Sequence, residues 1–138
     1  MKKLYTAVMT ASGGRTGTVK SPDGKYDFAL SMPKELRGDG GDGVNPELLF
    51  AAGYSACFHS AMKVVAAKQK IDIEHSSVTA SVDIGMIRGG GFGLAVTLTV
   101  SLPGMETEAA QGLVEAAHQV CPYSNATRNN IEVTLVIA

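Results

Sequence analysis

Apolar and polar positions alternate through much of the first third of the chain, and the alternation predicts strands. Leu4 to Thr10 has the residue types of a strand ending at Gly13-Gly14. Thr16 to Lys20 predicts a second strand, and Ser21-Pro22-Asp23-Gly24 the turn after it. Tyr26, Phe28, Leu30 and Met32 then alternate with Asp27, Ala29 and Ser31, as a half-buried strand requires. Pro33 to Val44 is polar and carries Gly38, Gly40, Gly41 and Gly43. It reads as a mobile loop, a kind of segment that often bears function.

Asn45-Pro46-Glu47 joins a capping side chain, a proline at the first helical position and an acid in the first turn, the marks of a helix start. The predicted helix runs to about Lys70 and is apolar on most of its circumference, from Leu48 and Leu49 through Tyr54, Cys57 and Phe58 to Val64 and Val65. Such a helix is expected to be buried nearly all round. One modest sheet covers only one side, so the other is expected to meet a second subunit.

Val78, Ala80, Val82, Ile84 and Met86 at period two, the turn Gly89-Gly90-Gly91-Phe92-Gly93, and Leu94, Val96, Leu98, Val100 and Leu102 predict a long antiparallel hairpin. Pro103-Gly104 breaks it. A second helix, from about Glu106 to Val120, places Ala110, Leu113, Val114, Ala117 and Cys121 on one stripe, and Pro122 ends it. Asn129-Asn130 predicts a turn, and Ile131, Val133, Leu135 and Ile137 a last strand. This order shows no βαβ alternation, so the expected class is α+β with a largely antiparallel sheet. With no internal repeat or linker, residues 1–138 read as a single domain.

Composition narrows the function classes. Hydrophobic residues make up 45% and charged residues 18% of the 138, which is globular rather than disordered composition. The formal net charge of -1 argues against nucleic acid or an anionic membrane as a partner, since both need a basic surface. The stretch after Met1-Lys2-Lys3 is too short and too often interrupted for a secretory segment. The most apolar run, Leu48 to Phe58, falls short of the roughly 20 residues of a membrane span. A cytoplasmic protein is expected, in which the Asn125-Ala126-Thr127 sequon is idle and a cysteine pair is more often catalytic or redox-active than structural.

There are two cysteines, Cys57 in the first long helix and Cys121 at the end of the second. Both lie on apolar stripes, so two antiparallel helices in one core could bring them together. Two buried, inert thiols fit the same spacing. No CxxC motif is present. Zinc fits poorly. Cys57 and His59 are two apart, about 200° around a helix, and His118 with Cys121 supplies only two ligands. His59, His75 and His118 read as polar-face residues, and no metal is expected. The glycine-rich loop lacks the Gly-Lys-Ser/Thr ending of a phosphate cradle, and Arg37-Gly38-Asp39 has no adhesion meaning in a cytoplasmic chain.

Two longer motifs carry a resemblance. Asn45-Pro46-Glu47-Leu48-Leu49-Phe50-Ala51-Ala52-Gly53-Tyr54-Ser55-Ala56-Cys57-Phe58 and Cys121-Pro122-Tyr123-Ser124-Asn125-Ala126-Thr127-Arg128 closely resemble the organic hydroperoxide resistance (Ohr) proteins of the OsmC/Ohr superfamily. The likeness includes Gly13-Gly14-Arg15 and Val19-Lys20-Ser21-Pro22-Asp23-Gly24, and Tyr123 after Cys121-Pro122 favours the Ohr branch. Asn129 stands where glycine is expected, and asparagine tolerates a left-handed turn. The resemblance implies an intertwined homodimer with two long central helices and sheets outside. It implies a thiol peroxidase that reduces alkyl hydroperoxides, fatty-acid hydroperoxides among them, to alcohols. Cys57 then matches the peroxidatic cysteine and Cys121 the resolving one, while Arg15 and Glu47 match the charged pair that supports the thiolate. The implied reductant is a lipoyl-type dithiol, lipoamide or a lipoylated protein, with no bound cofactor.

The residues themselves constrain that chemistry. A free thiol, with a pKa of about 8.5, is only a few per cent ionised at neutral pH, and burial raises the value further. A cation must offset this, and Arg15 is the candidate, oriented by a bidentate contact from Glu47. Arg15 as an exposed turn residue and Glu47 as a first-turn acid are the plainer readings. Glu47 and Cys57 are ten residues apart, about 15 Å of rise on one helix, so Glu47 is expected to serve the Cys57 of another subunit unless Arg15 spans part of the gap. Phe50, Tyr54, Phe58, Phe92 and Tyr123 are the candidate lining of a substrate pocket that favours greasy hydroperoxides. The alternative is a non-enzymatic dimeric redox sensor or hydrophobic-ligand binder using the same cysteines.

Overall fold

The structure, a computed structural model, describes Met1–Ala138 and divides into two compact units, Met1–Leu49 and Phe50–Ala138. In the first, β1 (Thr10–Ser12), β2 (Thr18–Lys20) and β3 (Asp27–Ala29) form a small antiparallel meander, with Ala11 opposite Val19 and Val19 opposite Phe28. The Ser21–Gly24 turn closes with Gly24 N–H donating to Ser21 C=O at 3.0 Å.

The strand expected over Leu4–Thr10 is not formed. Thr10 pairs with Lys20, β2 then enters the Ser21 turn, and nothing in the chain continues the ladder beside the preceding residues. Backbone without a partner does not make a strand, and Leu4 and Tyr5 are left 90% and 83% exposed. The strand expected over Tyr26–Met32 is short for the same reason. Its partner ends at Thr18, and only Leu30 continues, buried and bridged to Val44. The Pro33–Val44 loop is more tethered than its glycines suggest. It contains a 3-10 turn, Lys34–Leu36, and Gly43 N–H donates to the Ser31 hydroxyl at 2.9 Å.

Helix α1 (Pro46–Gln69) starts where expected, with Asn45 Oδ1 accepting from Leu48 N–H at 2.8 Å. It stops at Lys70 (φ 58), where Ile71 N–H reaches back to Ala66 C=O, a Schellman closure. The apolar stretch is longer than Leu48–Phe58, and the helix is long and apolar enough by composition to cross a membrane. One face explains the apolarity: Tyr54, Phe58, Ala61, Met62, Val65 and Ala66 are buried in the core. The other side of the helix is uncovered within the chain, as expected of a helix that meets a second subunit. Leu48 and Val64 are 55% and 54% exposed, and Ala52, Ala56 and Ser60 between them are exposed as well.

In the second unit β4 (Ser77–Met86) and β5 (Phe92–Ser101) form the expected hairpin, Val82 opposite Val96. Helix α2 (Thr107–Val120) follows, then a further short helix, α3 (Pro122–Thr127), and β6 (Glu132–Ile137). Strand β6 lies parallel to β5, Leu98 opposite Leu135, so β5-α2-α3-β6 is a crossover and the sheet is mixed. This corrects the expected absence of any βαβ unit. The two helices return the chain to the start of β5, and apolar alternation carries no strand direction. Asn129 (φ 63) makes the left-handed turn into β6. Val96, Leu98 and Val100 of β5, Leu113, Val114 and Ala117 of α2, and the inner face of α1 form the core.

Candidate functional site

The two cysteines meet. Cys57 lies one turn after Tyr54 on α1 and is partly exposed; Cys121 lies at the break between α2 and α3 and is fully buried. The break comes from Pro122, which disfavours helical backbone in the residue before it; Cys121 is extended at φ -65, ψ 124. Its N–H still closes the last turn of α2 on Ala117 C=O at 2.9 Å, and its own C=O accepts from Asn125 N–H to open α3. Cys121 thus belongs to both helical ladders. Its Sγ stands 3.7 Å from Cys57 Sγ, with no covalent bond between the two. A disulfide needs the sulfurs to close to about 2.05 Å, a shift within reach of side-chain rotation.

Burial pushes the Cys57 thiol above its ordinary range, a backbone hydrogen bond from Tyr123 pulls it down, and the neighbouring Cys121 thiol pushes it up again. Within the Phe50–Ala138 unit no cation offsets the burial. The other half of the expected site is assembled in the first unit. Arg15 projects from a tight 3-10 turn, Gly14–Thr16, entered through Gly13 and Gly14 at φ 78 and 57, which only glycine adopts freely. Its Nη1 and Nη2 donate to Glu47 Oε2 and Oε1 at 2.8 and 2.7 Å, the two side chains being 32% and 13% exposed. The guanidinium holds the Glu47 carboxyl below the usual carboxylate range, against the effect of burial. Arg15 and Glu47 of one chain therefore form a preassembled fork.

The aromatic candidates separate. Phe50, Tyr54 and Tyr123 cluster, with ring centroids 5.6 to 6.0 Å apart. Gly53 permits this: a Cβ there would stand 2.7 Å from the Tyr123 hydroxyl and 3.1 Å from its ring. Within the cluster Phe50 is partly buried and Tyr123 37% exposed. Tyr54 and Phe58 are 0% exposed core residues, and Phe92 stands 67% exposed at the end of the β4–β5 hairpin, outside the cluster. The structure thus brings Phe50 and Tyr123 together at the edge of the core, with Tyr54 and Phe58 inside it and Phe92 apart. Residue type marks an aromatic as apolar but not whether a core or a cavity uses it.

Sequence reasoning missed a buried polar chain beside Cys121. The Tyr54 hydroxyl meets Ser124 Oγ at 3.0 Å and Thr127 Oγ1 at 3.1 Å, and His118 Nδ1 meets Ser124 Oγ at 2.9 Å. Ser124 and Thr127 are 0% and 2% exposed. His118 is not a plain polar-face residue. Burial lowers its pKa, the Arg128 charge adds to that, and its ring lies 6.4 Å from Phe58. The available signal was Pro122 as a first helical residue, with Ser124 and Thr127 three apart behind it. His59 bonds the Ser76 hydroxyl through Nε2 at 3.0 Å.

Comparison with known proteins places the chain. The OsmC-like protein family matches residues 38–136. Over 138 residues, 99% of this chain and 96% of the relative, it is 57% identical to an organic hydroperoxide resistance protein of Xanthomonas axonopodis pv. citri. It is similar to the crystal structure of an organic hydroperoxide resistance protein from Elizabethkingia anophelis, at a TM-score of 0.94 and 56% identity, covering 100% of this chain and 99% of that one. It is also similar to the crystal structure of OhrB of Bacillus subtilis, at a TM-score of 0.91 and 46% identity, covering 99% and 100%. With both motifs and the paired cysteines in place, the chain belongs to the organic hydroperoxide resistance branch of the OsmC/Ohr superfamily.

Proposed function

We propose that this protein is an organic hydroperoxide reductase with Cys57 as the peroxidatic and Cys121 as the resolving thiol. The observation that carries the reading is the pair of sulfurs 3.7 Å apart, one reachable and one buried. Relatives named organic hydroperoxide resistance proteins support a peroxide-detoxifying role.

The cycle balances in three steps. The Cys57 thiolate attacks the distal peroxide oxygen, the O–O bond breaks, and the departing alkoxide takes a proton to leave as alcohol; Cys57 becomes a sulfenic acid. The Cys121 thiol attacks that sulfur, forming the disulfide and expelling water. A lipoyl-type dithiol, free or protein-bound, then reduces the disulfide by exchange and is itself oxidised to its cyclic disulfide. No bound cofactor or metal takes part. Phe50 and Tyr123, with rings 5.9 Å apart on the helices that carry Cys57 and follow Cys121, supply the apolar surface that favours alkyl hydroperoxides, fatty-acid ones included, over hydrogen peroxide. Turnover of cumene hydroperoxide with dihydrolipoamide tests the reading, with hydrogen peroxide as comparator. Repeated cycles with a clear preference for the alkyl substrate are expected. A sensor oxidises once and stops.

The protein is further proposed to act as a cytoplasmic homodimer, without nucleic-acid or membrane partners. The exposed apolar side chains of α1, Leu48 and Val64 among them, and the unpaired Leu4–Met9 segment support a second copy as their cover. Glu47 sits ten residues before Cys57 on an unbroken helix, about 15 Å along its axis, so the Arg15–Glu47 fork of one chain is proposed to serve the Cys57 of the other. A mixed dimer of a Cys57→Ser chain and a Glu47→Ala chain is then expected to regain one working site. Mixing without recovery of activity contradicts the cross-chain arrangement.

A further inference from the structure

We propose that the hydrogen-bond chain through His118, Ser124, Tyr54 and Thr127 positions Cys121 for attack on the Cys57 sulfenic acid. This rests on the reading of the two cysteines as a peroxidatic and resolving pair.

Proton counting gives the chain a direction. Thr127 Oγ1 donates its one proton to Ser124 C=O at 3.2 Å, so at 3.1 Å it accepts from the Tyr54 hydroxyl. Tyr54 has then spent its proton and accepts from Ser124 Oγ at 3.0 Å. Ser124 has spent its own, so His118 Nδ1 must carry a hydrogen and donate to Ser124 at 2.9 Å. Every hydroxyl is satisfied, and the arrangement is the same for neutral and charged imidazole, since Nδ1 bears a proton in both.

Placement ties the chain to the sulfurs. His118 lies three residues before Cys121 and Ser124 three after it, so the Ser124 hydroxyl braces both sides of the Pro122 break. Tyr54 lies three residues before Cys57 on α1, so the brace is anchored to the helix that carries the other sulfur. Condensation needs the two Cα atoms within about 7 Å, and small misplacements of reacting groups cost up to about a hundredfold in rate. A bend free to hinge on α1 would lose that geometry, and the sulfenic acid would then meet a second peroxide before Cys121. Ser124, Tyr54 and His118 are thus positioning residues for the second step only.

The test separates the steps. Fully reduced protein receives one equivalent of cumene hydroperoxide without dithiol, and quenched samples are read by intact mass for sulfenic acid, disulfide and sulfinic acid. In Ser124→Ala and Tyr54→Phe, sulfenic acid is expected to form at the wild-type rate. Disulfide formation slows about ten- to a hundredfold, and sulfinic acid accumulates as peroxide is raised. His118→Asn, whose amide nitrogen takes the place of Nδ1, is expected to keep fast condensation, whereas His118→Leu loses it. Tyr54→Phe keeps the buried ring, so it remains informative if Ser124→Ala fails to fold. Wild-type condensation rates in Tyr54→Phe and His118→Leu overturn the proposal, and so does equal slowing of both steps. Wild-type protein that forms neither sulfenic acid nor disulfide defeats the peroxidatic reading itself, and the positioning role with it.

Discussion

Cys57→Ser is expected to reduce hydroperoxide turnover to the uncatalysed background, while Cys121→Ser consumes one equivalent per chain and then stops. The two losses differ because the proposed cycle gives the two sulfurs different chemistry. A serine hydroxyl at position 57 is essentially un-ionised at neutral pH and a far poorer nucleophile than a thiolate, so the O–O bond is never attacked. Loss of Cys121 leaves that attack intact but removes the group 3.7 Å away that converts the sulfenic acid to a disulfide. The stalled sulfenic acid gains about 16 Da, and excess peroxide takes it to sulfinic acid at about 32 Da. Intact mass against equivalents of cumene hydroperoxide reads both outcomes. A Cys57→Ser protein that still turns over, or a Cys121→Ser protein that cycles with dihydrolipoamide at the wild-type rate, contradicts the assigned roles.

Arg15→Ala is expected to slow Cys57 oxidation about tenfold or more at pH 7 and to make it strongly pH-dependent. Burial and the neighbouring Cys121 thiol hold the Cys57 pKa above the ordinary thiol range, and one backbone hydrogen bond is the only opposing influence within its unit. An ordinary thiol of pKa about 8.5 is only about 3% ionised at pH 7 and a raised one less, so a cation that makes it thiolate restores about thirtyfold or more. Part of that is offset, because a thiolate of lower pKa is intrinsically less nucleophilic, with a Brønsted slope of about 0.4–0.5. About tenfold remains. Without Arg15 the rate should climb nearly tenfold per pH unit and level off above the raised thiol pKa. The wild-type profile should be flat from about neutrality upward. Single-turnover rates from pH 6 to 10 decide this. Superimposable profiles remove Arg15 from thiolate support.

What the sequence revealed follows from what each signal encodes. Asn45-Pro46-Glu47 announced α1 because capping is local chemistry, and the observed Asn45–Leu48 bond is that signal realised. The β4–β5 hairpin was equally legible, since period two and three glycines specify both strands and their turn. The direction of β6 was not, because alternation reads the same in either sense and only the α2–α3 crossover sets it. Leu4–Met9 had strand chemistry but no neighbour in the chain, and strand formation depends on the neighbour. At the site, the cysteines and the Arg15–Glu47 fork were legible through motif resemblance. The Ser124 brace was hidden because a serine and a threonine read as surface residues until a tertiary fold buries them.

Within the proposed cycle, the depth of Cys121 also bears on which half of the oxidised pair an incoming dithiol strikes. With Cys121 sealed from solvent and Cys57 open, exchange must begin at the Cys57 sulfur. On the proposed mechanism the transient adduct between enzyme and reductant is then expected on Cys57, with Cys121 the leaving group that returns to its thiol form first.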